Sequence, residues 1–323
     1  MDIVRRSAVL GFAITALLIS THPGRTQTYP SRSITFVVPF AAGGFVDVIA
    51  RLVGQKVSEE LGQPVIVENR PGAGGNIAHR RVAQAEPDGY TVLAASTSLA
   101  INESLYPQRG YSADDFLALS IAATTPEIVA APASGAKSLR EFIDQSKNAS
   151  AQFGTAGAGS ASFIVAQYFF TRLAKIPATH IPFQGGAPAI NAAMGAQIPL
   201  VAAAMAGGVV QPIKDGRLRG LAIASEKRNP LVPEVPTYIE SGYPGFTADA
   251  WAGFFALAKT PHEVAQKLNT AINHALSDRE VQARLEPLGF TVILQDLQTA
   301  DRRFRSDIER WRTRVDAIGF TIQ

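Results

Sequence analysis

The 323-residue sequence predicts an α/β fold of two lobes around a hinged cleft, and three observations carry that prediction. Short β-branched runs alternate with amphipathic segments, an order that builds parallel sheets flanked by helices. The alternation runs once, breaks in an irregular stretch around residues 106–116, and then starts again. Both runs place Gly- and Ser-rich loops after strands, where open α/β sheets gather their ligands.

In the first run, residues 34–38 (ITFVV) read as a buried strand. Residues 47–61 read as a helix with Ile49, Leu52, Val53, Val57 and Leu61 on one face, stopped by Gly62. A strand over 65–68, a Gly-rich turn over 70–76 and a helix near 77–85 follow. Pro87, Asp88 and Gly89 then turn the chain into a strand over 90–95. The second run gives strands over 128–131, 151–155, 179–183, 198–203 and 218–224, with helices that include 139–146 and 160–173. Past Pro230, Pro233 and Pro236 the chain is irregular until the apolar run 251–257. There Trp251, Phe254 and Phe255 read as hinge or core packing rather than a stacking platform. Helices over 263–276 and 302–318, the second ended by Gly319, complete the chain. The expected organisation is a first lobe over 29–126, a second over 127–250, and a return to the first over 251–323.

Composition narrows the function. A hydrophobic fraction of 46% with 18% charged residues fits a folded globular chain. The net charge of +3 is carried largely by Arg5, Arg6 and Arg25 near the N-terminus, so no basic stripe is left to neutralise nucleic acid. Arg5 and Arg6 precede an apolar run, residues 8–19, that is too short to span a bilayer. Residues 1–28 therefore read as a signal peptide, with cleavage between about 20 and 28. Ala8 stands where a twin-arginine leader would carry a bulky apolar residue, which favours the general export route. Cysteine is absent, which excludes disulfides, a lipid-anchored N-terminal cysteine and thiol catalysis. The long uncharged stretch 176–213 is cut by Pro177, Pro182, Pro188, Pro199 and Pro212, so it is no membrane helix.

Chemistry-bearing motifs point to binding. Gly43 and Gly44, between a strand and a helix, let backbone N–H groups approach an anion at a helix N-terminus, and they serve a plain turn equally well. Asp47 caps that helix or touches the ligand. The segment Gly154 to Ser160 repeats the arrangement. It lacks the Lys of a phosphate loop and the spacing of the dinucleotide fingerprint. Ser160 is flanked by Ala158 and Ser162 rather than the glycines of a nucleophile elbow, so its hydroxyl reads as a hydrogen-bonding group at a helix start. The Gly72 to Gly75 turn is a weaker candidate. His22, His79, His180, His262 and His274 are scattered; His262 and Glu263 continue to Gln266 rather than a second zinc ligand. His180 reads as a hydrogen-bonded core residue. Nothing assembles a nucleophile, a base and an oxyanion hole, so the chain is read as non-enzymatic, without cofactor or metal.

Ordered signatures extend this reading along nearly the whole chain. They include Val37-Val38-Pro39-Phe40-Ala41-Ala42-Gly43-Gly44, Val67-Glu68-Asn69-Arg70-Pro71-Gly72-Ala73-Gly74-Gly75-Asn76 and Pro87-Asp88-Gly89-Tyr90-Thr91. Further along stand His180-Ile181-Pro182-Phe183, Val235-Pro236-Thr237 and Trp251-Ala252-Gly253-Phe254-Phe255. On these the sequence resembles the tripartite tricarboxylate transporter receptors, also called Bug proteins. The resemblance implies a type II periplasmic binding protein fold, periplasmic location and a small carboxylate ligand. It also implies delivery to membrane permease subunits; a sensor domain is the alternative partner. No nucleic acid partner is expected, and the protein is read as a monomer. The residues expected at the ligand are Phe40, Ala41, Gly43, Gly44, Phe45 and Asp47, with Ser96 and Thr97, in the first lobe. In the second they are Thr155, Gly159, Ser160, Ala161 and Met205. Three departures remove polar groups from this region: Phe45-Val46 where small or hydroxyl residues are usual, Phe163 where His is common, and the stretch Ala202 to Met205 where an Asp-Asn pair is frequent. They argue against an ammonium-bearing ligand and for an acid with an apolar or aromatic body covered by Phe45 and Met205.

Overall fold

A computed structural model describes residues 29–319, 321 and 322; the predicted signal peptide lies outside the described residues. β-branched and apolar residues make β1 (Ile34–Val38) almost fully buried, and it pairs in parallel with both β2 (Val65–Asn69) and β3 (Thr91–Ser96). Between them, α1 (Phe45–Leu61) starts two residues earlier than its periodicity suggests and ends on left-handed Gly62. α2 (Asn76–Ala83) follows the Gly-rich turn.

Two elements depart from the sequence expectation. The residues between the strand expected over 90–95 and the irregular stretch, to which the sequence assigns no element, hold α3 (Ser98–Leu105), a helix buried over most of its surface, which leaves no amphipathic signal. The strand expected over 128–131 is the end of β4 (Phe116–Pro132), seventeen residues long. β4 is buried almost throughout and rich in alanine, so neither a period of two nor β-branched bulk marks its first half.

The second half adds α4 (Leu139–Ser146), β5 (Ala151–Thr155), α5 (Ala161–Tyr168), β6 (Ala178–Pro182) and α6 (Gly186–Met194). β7 (Val201–Ala204), α7 (Val210–Lys214) and β8 (Leu218–Ile223) follow. The helix expected to run to residue 173 becomes a π-helical turn at Phe169–Leu173, where Phe169 and Phe170 are buried. β5 pairs in parallel with β6 and β7, while β7 and β8 flank the far end of β4 antiparallel.

The apolar run near residue 251 is β9 (Asp249–Leu257), which inserts antiparallel between β3 and β4 and makes the sheet mixed rather than purely parallel. β4 and β9 lie side by side from Phe116 against Leu257 to Pro126 against Asp249, with register shifts between Ala118 and Ser120 and between Ile121 and Ala123. Such irregularities bend and twist a strand pair. Trp251, Phe254 and Phe255 are buried core residues, with Phe254 5.1 Å from Phe36 and Phe255 4.9 Å from Phe304 between ring centroids. Truncating any of them to alanine costs ~3–5 kcal/mol. The chain closes with α8 (His262–Ser277), α9 (Arg279–Leu285), β10 (Thr291–Val292) and α10 (Leu297–Ile318). α10 is capped by Asp296, whose carboxylate accepts from Thr299 N–H at 2.7 Å. Among the described residues no helix is long and apolar enough to cross a membrane.

Candidate functional site

A narrow cleft lies where the starts of four helices meet. α1 presents Gly44, Phe45 and Val46; Thr97 precedes α3; Ser160 and Ala161 open α5; Gly186 opens α6. Each helix start carries unsatisfied N–H groups and a partial positive charge, so the cleft favours an anion without any cationic side chain. No Lys, Arg or His lines it. Phe40, Phe45, Val46, Ala203, Ala204 and Ala250 give it an apolar wall.

The loop before α1 is fixed by Asp47. Its buried carboxylate accepts from Gly43 N–H at 2.9 Å, Asn69 Nδ2 at 2.8 Å and Arg51 Nε at 3.0 Å. Burial works to raise its pKa, but the Arg51, Gly43 and Asn69 hydrogen bonds outweigh it and hold the carboxyl below its usual value. Ser160 caps α5, accepting from Phe163 N–H at 3.2 Å and donating to Gly157 O at 2.7 Å. Thr97 accepts from Trp251 N–H at 2.9 Å, and Ser96 donates to Ser98 at 3.0 Å. These hydroxyls therefore first hold the loops in place.

Seven of the expected residues line the cleft: Phe40, Gly44, Phe45, Ser96, Thr97, Ser160 and Ala161. The others lie nearby in supporting places. Ala41 N–H donates to Gln184 O at 3.1 Å, joining the loops after β1 and β6. Gly43 and Asp47 hold each other. Thr155 is fully buried, with its hydroxyl 2.7 Å from His180 Nε2. Burial lowers the His180 pKa to about 4, so this imidazole is neutral at pH 7. Phe163 is buried with its ring 4.4 Å from that imidazole. Gly159 presses on Gly74 across the cleft, which draws the Gly72 to Gly75 turn into the contact between the halves. Met205 is fully buried against Gly289 and does not reach the cleft wall.

Sequence reasoning missed Glu127. It lies on β4 in the cleft lining and is 3% exposed. Neither carboxylate oxygen meets hydrogen-bond geometry with a protein donor. Burial pushes its pKa up to about 8; Ser162 offsets this only partly, and the Asp249 charge adds to the rise. The available signal was its isolation, because Glu127 is the single charged residue in the seventeen of β4. Among the described residues no group of three or more His, Asp or Glu could hold a metal.

Two α/β halves joined by shared strands, with helix starts converging on the cleft between them, define the fold of the periplasmic binding proteins. The structure of periplasmic binding protein BugD superposes with a TM-score of 0.86 at 32% identity, over 91% of this chain and 100% of BugD. The profile of the tripartite tricarboxylate transporter family receptor matches residues 49–320, and the chain belongs to this family. A protein of the tcbD–tcbE intergenic region of Pseudomonas sp. strain P51 is 35% identical, over 96% of this chain and 94% of its own length. Two relatives are known with ligands. MatC from Rhodopseudomonas palustris, with bound malate, is 33% identical with a TM-score of 0.83 over 90% of this chain and 100% of MatC. An R. palustris protein with adipate is 27% identical with a TM-score of 0.85, over 91% of this chain and 99% of that protein.

Proposed function

We propose that this protein is a periplasmic receptor, acting as a monomer. It captures a small organic carboxylate with an apolar or aromatic body by closing its two halves, and delivers it to the membrane subunits of a tripartite transporter. The observation that carries the reading is the cleft itself. Helix starts from both halves meet there, no cationic side chain lines it, and Phe40, Phe45 and Val46 supply an apolar wall. A carboxylate bridging helix starts on both sides would draw them together, which is how hinged binding proteins convert affinity into closure. The malate and adipate held by two relatives support the ligand class. Calorimetric titration against linear, aromatic and hydroxylated acids tests it. Preference for alkyl or aromatic acids is expected; clear preference for citrate or aspartate would sink the apolar-body assignment.

A further inference from the structure

Glu127 gives the cleft a second electrical pole. The residue is 3% exposed and lines the cleft from the strand shared by both halves; the Ser162 hydroxyl lies beside its carboxyl, but neither oxygen closes a well-formed hydrogen bond. The loops around it present the opposite character, the N–H-rich starts of α1, α3, α5 and α6. A ligand that is anionic at both ends would set its second charge in a site without a single Lys or Arg. One that carries a carboxylate at one end and a nitrogen cation at the other satisfies both poles. Building on the carboxylate reading above, we infer that Glu127 receives the cationic nitrogen of a zwitterionic acid, and so selects amino-carboxylates with an apolar spacer over dicarboxylates.

This reverses the expectation drawn from the polar groups lost at Phe45 and Ala202 to Met205, because the compensating charge sits on a different strand. The groups facing Glu127 agree. Ser162 on α5 is neutral, Asp249 on β9 is acidic, and buried Tyr238 has its pKa raised by burial first and then by Glu127. None is a cation. With its pKa raised to about 8, Glu127 is mostly protonated at pH 7 when the cleft is empty. An arriving ammonium ionises it, and about one proton leaves per ligand bound.

Matched sets of small molecules test this by calorimetry: adipate, 6-aminohexanoate and hexane-1,6-diamine, and the aromatic set terephthalate, 4-(aminomethyl)benzoate and 1,4-bis(aminomethyl)benzene. The amino acid is expected to bind tightest in at least one set, with about one proton released at pH 7 in buffers of differing ionisation enthalpy. Glu127→Gln is expected to weaken that amino acid about 30-fold or more while sparing the diacid. Tightest binding of the diacid, no proton release, or an unchanged amino-acid affinity in Glu127→Gln overturns the role of Glu127 and leaves the carboxylate reading standing. Tightest binding of the diamine overturns the carboxylate reading instead, and binding of none overturns both. The proton count on the unmodified protein keeps the test valid if Glu127→Gln folds poorly.

Discussion

The contact between Gly159 and Gly74 should decide whether the two halves can close. Gly159 has an ordinary backbone conformation, so alanine there adds a methyl group without intrinsic strain. That methyl would lie 2.5 Å from Asn102 Oδ1 and 2.7 Å from Gly74 O. Neither atom is free to retreat, because Asn102 Nδ2 donates to Gly74 O at 3.0 Å and to Asn76 Oδ1 at 2.8 Å. Relief requires the two loops to part by roughly 1 Å, and overpacking of this kind costs ~1–3 kcal/mol. On the closure proposed above the cost falls on the closed form, so Gly159→Ala should weaken ligand binding by roughly five- to 150-fold. On the same reading the ligand-free protein relieves the clash by opening, so its unfolding midpoint should barely move. Calorimetry reads the affinity, and small-angle scattering reads the compaction that ligand induces. Wild-type affinity with wild-type compaction in Gly159→Ala would refute the reasoning.

Three further outcomes follow from the side chains described. Glu127 holds its proton in the folded protein up to about pH 8 but loses it in the unfolded chain from about 4.5. Stability should therefore fall as pH rises across that window, by ~1.4 kcal/mol per unit from this group, and Glu127→Gln should flatten the fall. Thermal melts from pH 5 to 8 check this, and parallel curves for the two proteins would count against it. Asp47→Ala should cost on the order of 2 kcal/mol in urea unfolding at pH 7, since Arg51 is half exposed and adds little beyond the buried hydrogen bonds. Because the folded Asp47 pKa is lowered, this stabilisation is complete above the ordinary carboxylate range and disappears as pH falls through the lowered value. An unchanged urea midpoint would assign Asp47 some other role. Phe45→Ala, which removes a half-buried ring from the cleft wall, should weaken acids with an apolar body by about tenfold and leave small hydroxy acids alone. Equal losses for both classes, measured by calorimetry, would refute that.

Legibility in the sequence followed the physics of each element. The strand at 34–38 is plain as a short apolar run ended by Pro39, and the helix after it as one periodicity stopped by Gly62. α3 was hidden because it buries most of its surface, and the first half of β4 because alanines and serines carry little β signal. The glycines and hydroxyls of the cleft loops were readable, since turn chemistry is local. Which of them face the cleft was not: Thr155 and Met205 point into the core because of neighbours far along the chain, His180 and Gly289. Glu127 escaped for the same reason. A charge in a strand looks like solvent exposure until the fold sets it inside the sheet, opposite Ala204 of β7 and beside Ser162 of α5.

The place of β9 also governs the order in which the molecule can be assembled. β3 and β4 are neighbours in the sequence, yet the strand between them begins at Asp249, after the entire second half. A growing or partly translocated chain that ends before that point has the hydrogen-bonding edge of β3 open and Phe36 without Phe254. The first half thus cannot be completed in advance as an independent unit, and the last quarter of the chain acts as a keystone for the first. Truncation before Asp249 would leave an exposed apolar edge prone to strand pairing with other copies.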